Sequence, residues 1–292
     1  MKKRYLLLIA TGLIGLGWLI VRPDSQPSSN GGLTPVSSFT HAHGLAVDPN
    51  DSAKLYIATH QGLYLLKDEK DLFQVGDKQD DYMGFSLHPS QSSTFFTSGH
   101  PSFGGNLGFQ KSDDGGKNWI KISNGLNGPV DFHAMAVSPV NPNVVAGWYR
   151  GIQISEDNGQ NWRIATGDLK QIINLAFDSK IRERLYASTL EGLAVSQDLG
   201  KSWQLVNKDG AIIAVAINPG NNQELLLSSQ SAGLLKSIDE GKTWQKLTTP
   251  FTDEMVLYIA YDKQKPSKSY ALTETNTLFK TVDSGVNWVK VR

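Results

Sequence analysis

Apolar and polar residues alternate along this chain in short runs that recur about every 40 residues. One run in each period closes on a turn residue. It appears as Leu45-Ala46-Val47-Asp48-Pro49, Phe85-Ser86-Leu87-His88-Pro89 and Met135-Ala136-Val137-Ser138-Pro139. It continues as Leu175-Ala176-Phe177-Asp178, Val215-Ala216-Ile217-Asn218-Pro219 and Ile259-Ala260-Tyr261-Asp262. A second run follows, as in Leu55-Tyr56-Ile57-Ala58 and Leu185-Tyr186-Ala187-Ser188. Period-two alternation bounded by turn residues is the pattern of half-buried strands. A third strand leads into a Ser/Thr-x-Asp-x-Gly-x-x-Trp motif, and a fourth starts at its Trp. Four strands per period make one propeller blade, and six sets make six blades. The expected fold is all-β: a six-bladed β-propeller of four-stranded antiparallel blades, strand a innermost, preceded by an N-terminal hydrophobic helix.

The motif stands at Ser112-Asp114-Gly116-Trp119, Ser155-Asp157-Gly159-Trp162 and Ser196-Asp198-Gly200-Trp203. It returns at Ser237-Asp239-Gly241-Trp244 and Thr281-Asp283-Gly285-Trp288. In the first blade Lys67-Asp68-Glu69-Lys70 occupies that turn. These copies resemble the Asp box, or BNR repeat, of the sialidase-like propeller superfamily, and the resemblance covers residues 36–292. Related propellers include sialidases, xyloglucan hydrolases, sortilin-type receptors and photosystem II assembly factors. The resemblance therefore implies fold more than function. The box itself reads as structural. Its Asp accepts backbone N–H groups in a tight turn, its Gly permits positive φ, and its Trp packs into the neighbouring layer.

Residues 1–35 read as an address. Lys2-Lys3-Arg4 precedes an apolar run from Tyr5 to Val21, a positive n-region followed by a hydrophobic core. Val21-Arg22-Pro23 is a poor cleavage site, which favours an uncleaved signal-anchor over residues 1–21, with a cleaved signal peptide as the alternative. Residues 22–35, rich in Pro, Ser, Gly and Asn, read as a flexible linker. The propeller would then occupy residues 36–292 outside the cytoplasm, held to the membrane or secreted. An edge strand over residues 33–39 would cover one outer edge of the ring.

Composition narrows the function. Formal charges balance, with 28 Lys+Arg against 28 Asp+Glu. Setting aside Lys2, Lys3, Arg4, Arg22 and Asp24 leaves 24 basic against 27 acidic residues, which argues against a nucleic-acid partner. The absence of cysteine removes disulfides, thiolate metal sites, a Cys nucleophile and a lipoprotein anchor.

Registering the blades brings out one face. Two residues before the first apolar residue of strand a stand His43, Met83, His133, Ile173, Ile213 and Leu257. Two residues earlier stand His41, Asp81, Asp131, Gln171, Ala211 and Met255. Just past strand b stand His60, His100, Tyr149, Leu190, Ser231 and Thr275. The start of a and the end of b meet at the face opposite the boxes, and residues two apart in a strand share a side. His41 with His43, Asp81 with Met83, and Asp131 with His133 are thus expected to point in pairs. Blades 1–3 would gather imidazoles, a thioether and carboxylates at the channel mouth, and His88 would fall at an a–b turn on the far face. This donor set suits a transition metal, copper or zinc above others. His43 and His133 rank first as ligands beside Met83, then His60 and His100. His41, Asp81 and Asp131 rank as groups that orient the imidazoles. The alternative is a polar, hydrogen-bonded channel mouth.

The b–c connection of blade 2 is longer than its counterparts: His100 to Ser112 spans 12 residues, against 6 in blades 3–6. Its glycine-rich stretch, with the long connection 124–129, could serve as a ligand clamp. The favoured function is an exported, membrane-anchored propeller with a His-rich ligand site in blades 1–3. A second reading is a glycoside hydrolase-like enzyme using Asp81 and Asp131, with Glu191 and Tyr149 as further catalytic candidates. Sialidase activity is not expected, because the arginine triad that the resemblance requires is missing; Arg150 is the one arginine placed on that face. A third reading is a non-enzymatic assembly scaffold. The partner expected besides the membrane is a small ligand, glycan or protein.

Overall fold

The computed structural model describes residues 31–101, 103–167, 169–251 and 253–292. The expected anchor, residues 1–21, and most of the linker lie outside the described residues. Twenty-five strands, β1 to β25 in chain order, form six antiparallel sheets. Five sheets hold four consecutive strands each, ordered from the centre outward as in the chain. The innermost strands are β2 (Ala42–Asp48), β6 (Asp81–Leu87), β10 (Ala134–Val137), β14 (Ile172–Phe177), β18 (Ile212–Ile217) and β22 (Val256–Tyr261). Each touches the next around the ring, and β22 touches β2, so the ring closes.

Six apolar clusters fill the six seams between blades, and each draws on two neighbouring sheets. Between blades 1 and 2 lie Tyr56, Leu63, Phe85, Phe95 and Trp119. Between blades 2 and 3 lie Phe96, Phe109, Phe132 and Val145, with Trp162 against them. Trp119, Trp162, Trp203, Trp244 and Trp288 each pack into the seam with the preceding blade, as the box reading requires.

The box works as a turn lock. In the third blade the Ser155 hydroxyl donates to Asp157 Oδ1 at 2.9 Å and accepts the Gly159 N–H at 2.8 Å. The Asn161 N–H also donates to Asp157 Oδ1, at 2.9 Å. The other four copies repeat the Ser/Thr–Asp and Gly N–H bonds. Gly159 has φ +80°, and a Cβ there would lie 2.1 Å from the Phe109 ring. Glycine is required both for the backbone and for the close approach.

Blade 1 lacks the box yet keeps its backbone tie. The Asp68 N–H donates to the Ala53 carbonyl at 2.8 Å, matching Gly115 to Ser93 and Leu199 to Glu183 in boxed blades. Its turn joins β4 (Gly62–Lys67) to β5 (Asp71–Val75) and projects Glu69 across the seam onto blade 6. The Glu69 carboxylate accepts the Tyr270 hydroxyl at 2.8 Å and Lys268 Nζ at 3.0 Å, and it also pairs with Lys280.

The propeller begins earlier than expected. Leu33–Pro35, assigned to the linker, form β1 and pair with β5 on the outer edge of blade 1. The edge strand expected over 33–39 is thus confined to its first three residues. Val36 and Phe39 instead pack with Tyr270, Leu278 and Val291 in the seam between blades 6 and 1. No strand is shared between those two blades among the described residues.

Candidate metal centre

Strand a does not run straight into the channel mouth. Its pairing with strand b skips a residue between Ala42 and Gly44, Ile172 and Asn174, Ile212 and Ala214, and Val256 and Tyr258. In blade 2 the irregularity lies between Asp81 and Gly84. A bulge breaks period-two alternation and re-aims the extra side chain. His43 is the extra residue of the bulge in blade 1.

The central channel holds about 280 Å³ and is lined by His43, Met83, His133, Ile173, Asn174 and Tyr258 among others. Asp81, at the start of β6, is the hub of the mouth. It is 3% exposed. His60 Nδ1 bonds its Oδ2, His100 Nε2 lies 3.4 Å from the same oxygen, and His43 Nε2 lies 3.7 Å from Oδ1. The His43 and His60 rings meet edge to face with centroids 4.1 Å apart. One donor atom from each of His43, His60 and Asp81 falls within 4.8 Å of the others, a group able to hold a metal ion.

His43 Nε2 and Asp81 Oδ1 are both buried and have no hydrogen-bond partner among the described residues; such atoms ordinarily cost free energy to bury. His100 Nδ1–H donates to the Pro101 carbonyl at 3.3 Å. Burial holds the His43 pKa down, to about 4; Asp81 opposes this, and the neighbouring imidazoles of His60, His133 and His41 add to it. His43 therefore presents a neutral ring at neutral pH, the form that binds metals.

The remaining expected residues stand apart from this hub. The His41 ring lies 5.4 Å from that of His60, on the outer side of the cluster, with φ 49°. His133 Nε2 lies 3.4 Å from Asp131 Oδ2, and that hydrogen bond, against the effect of burial, raises the His133 pKa. Asp131 Oδ1 is buried without a partner among the described residues. Met83 lines the channel beside His43 and His133. The Tyr149 hydroxyl accepts the Asn106 side-chain N–H at 3.3 Å, and the Arg150 guanidinium lies 5.2 Å from the Tyr149 ring centre. Glu191 is exposed in the b–c turn of blade 4. His88 accepts the Ser90 N–H at 3.2 Å, as a turn residue does.

Tyr258 is the channel residue that register reasoning missed. Burial raises its hydroxyl pKa, and the Asp81 charge raises it further, which places it in the field of the hub. Its neighbour Leu257 holds the register position of His43 and Ile173, which do line the channel, and no sequence signal marks Tyr258 in its place. The blade 2 insert is tied down at its end: Leu107 N–H donates to the Gly99 carbonyl at 2.8 Å, and Asn106 donates to the Pro129 carbonyl at 3.0 Å.

Comparison with known proteins agrees on architecture. The profile of a family described as "Sortilin, neurotensin receptor 3" matches residues 191–292. No curated protein matches the chain. The GH74 enzyme of Niastella koreensis superposes with a TM-score of 0.59 at 16% identity, over 85% of this chain and 46% of that one. The GH74 xyloglucanase of Xanthomonas campestris gives 0.58 at 19% identity, over 88% and 46%. This chain thus spans less than half the length of these enzymes. A structure described as YCF48 bound to D1 peptide gives 0.58 at 15% identity, over 89% of this chain and 84% of that one. The chain is a six-bladed β-propeller, and its likeness to these structures is one of fold.

Proposed function

We propose that this protein is an exported, membrane-anchored propeller that binds one transition-metal ion at the mouth of its channel. His43, His60 and Asp81 supply the donors, and His100 is the fourth. The observation that carries the reading is the buried pair of His43 Nε2 and Asp81 Oδ1, 3.7 Å apart and without hydrogen-bond partners among the described residues. Ligands at roughly 2.0–2.1 Å from a tetrahedral ion stand about 3.4 Å from one another, so a small contraction would let one ion satisfy both atoms. Imidazole with carboxylate suits zinc; the Met83 thioether beside it favours copper. Export and anchoring are supported by Lys2-Lys3-Arg4 and the apolar run Tyr5–Val21. The test is metal content after loading with zinc or cuprous ion and desalting. One ion per chain is expected, lost in a His43→Ala/Asp81→Asn double variant that remains folded. No retained ion, or equal retention by the double variant, overturns the reading.

A second reading, a non-enzymatic assembly scaffold, is favoured by coverage. The likeness to YCF48 runs over 84% of that chain, whereas the likeness to the GH74 enzymes stops at 46%. Hydrolysis is less well supported, because Asp81 is engaged by three imidazoles and Asp131 by His133.

A further inference from the structure

Beneath the metal centre the channel changes character. The innermost strands start at the mouth, and each further residue lies about 3.3 Å deeper. His43, Met83, His133 and Ile173 line the mouth end. Leu45, Ala176, Ile259 and Val137 line the channel two to four residues past the mouth position of their strands. All four are half-buried, so apolar surface is left open at that depth. Ser86, the polar side chain among them, spends its hydroxyl on the Met135 carbonyl at 3.4 Å. Open apolar surface in a channel of about 280 Å³ suits a small, slender, apolar occupant.

Two donors stand between the mouth and this apolar stretch. Asn174 and Tyr258 line the channel at equivalent positions, each directly after the bulge of its strand. Asn174 Oδ1 accepts the Val215 N–H at 3.5 Å, and the amide NH2 has no partner among the described residues. The Tyr258 hydroxyl has none among them either. Burial, with the Asp81 charge, raises its pKa, so it keeps its proton and donates. Donors beside an apolar passage call for an oxygen acceptor on an apolar body. A divalent ion held by His43, His60 and Asp81 outweighs the single charge of Asp81, and Asp131 is paired with His133, so the fitting acceptor is an anion. We propose that the channel binds a short straight-chain monocarboxylate, its head at Asn174, Tyr258 and the ion, its chain along Leu45, Ala176, Val137 and Ile259. This rests on the ion proposed at the mouth.

Calorimetry on the zinc-loaded full chain compares hexanoate with acetate, which has the charge without the chain, and with hexanol, which has the chain without the charge. Hexanoate is expected to bind at least about tenfold more tightly than either. Tyr258→Phe removes one donor and should weaken hexanoate and acetate alike, by about threefold to tenfold. Ile259→Thr should weaken hexanoate about threefold and leave acetate binding and zinc retention unchanged. The comparison of the three probes uses wild type alone, so it stands even where a variant fails to fold. Retained zinc with hexanoate no tighter than acetate or hexanol, at up to about 10 mM, overturns the proposal and leaves the metal centre standing. Unchanged hexanoate affinity in both variants, each folded, overturns it equally. If zinc is not retained, the metal centre fails by itself, and the same comparison is made on the metal-free chain. Hexanoate still tighter than acetate there keeps the channel as a carboxylate site; equal binding, or none, overturns it.

Discussion

Glu69 accepts the Tyr270 hydroxyl at 2.8 Å across the seam where the first blade meets the last. Blade 1 is the blade without an Asp box, and the freed turn carries this acid to Lys268, Lys280 and Tyr270 of blade 6. The box that was lost is replaced by an ionic tie at the one seam the chain does not cross by an ordinary d–a connection.

Replacing Glu69 by Gln should cost about 1–3 kcal/mol, since it leaves two partly buried ammonium groups without their acid. Burial opposes ionisation of Glu69, but the hydrogen bonds from Lys280, Lys268 and Tyr270 prevail and hold its pKa at about 2, below its ordinary 4.5. Its contribution is therefore full above pH 4.5 and disappears as pH falls through about 2. Urea unfolding of wild type and Glu69→Gln as a function of pH should show the two curves converging in that window. A constant gap down to about pH 2 would contradict the assignment.

Gly159→Ala should destabilise by about 2–4 kcal/mol, from left-handed backbone strain together with overpacking against Phe109. Gly105→Ala, where an added Cβ meets nothing within 4 Å, is the control and should change the melting midpoint little. Equal effects at the two positions would show that the box glycine is not a packing requirement.

Metal retention should separate the histidines. His43→Ala and Asp81→Asn are expected to abolish it, whereas His133→Ala, whose ring is turned to Asp131, should leave affinity within about tenfold of wild type. Competition against a chromophoric chelator reads the ranking directly. A greater loss at His133 than at Asp81 would place the ion deeper in the channel, beside Met83.

The blades were legible because each box repeats four functional groups at fixed spacing, and each group answers a local need: a hydroxyl, a carboxylate, a glycine φ and an indole. The gathering of histidines at one face followed from strand direction alone. Finer placement did not, because which side chains meet at the mouth is set between blades, by residues far apart in sequence, as where His43 faces Asp81. Asp81, an orienting group in the sequence reading, stands against three imidazoles, those of His43, His60 and His100. Its register pairs it with His100, while its carboxylate also faces His43 of the neighbouring blade. The Glu69 tie was equally hidden, since its partners are about 200 positions away in the chain.

Every blade here is built from its own contiguous strands, and the last seam is sealed by Val36, Phe39 and Val291 rather than by an exchanged strand. The Arg292 guanidinium reaches the Ser37 carbonyl, so residue 292 sits beside the start of blade 1. The ring is therefore indifferent to which blade comes first in the chain. Circular permutation, with a short linker from Arg292 to Leu33 and new ends in the exposed turn at Gly210, would preserve every sheet and every seam.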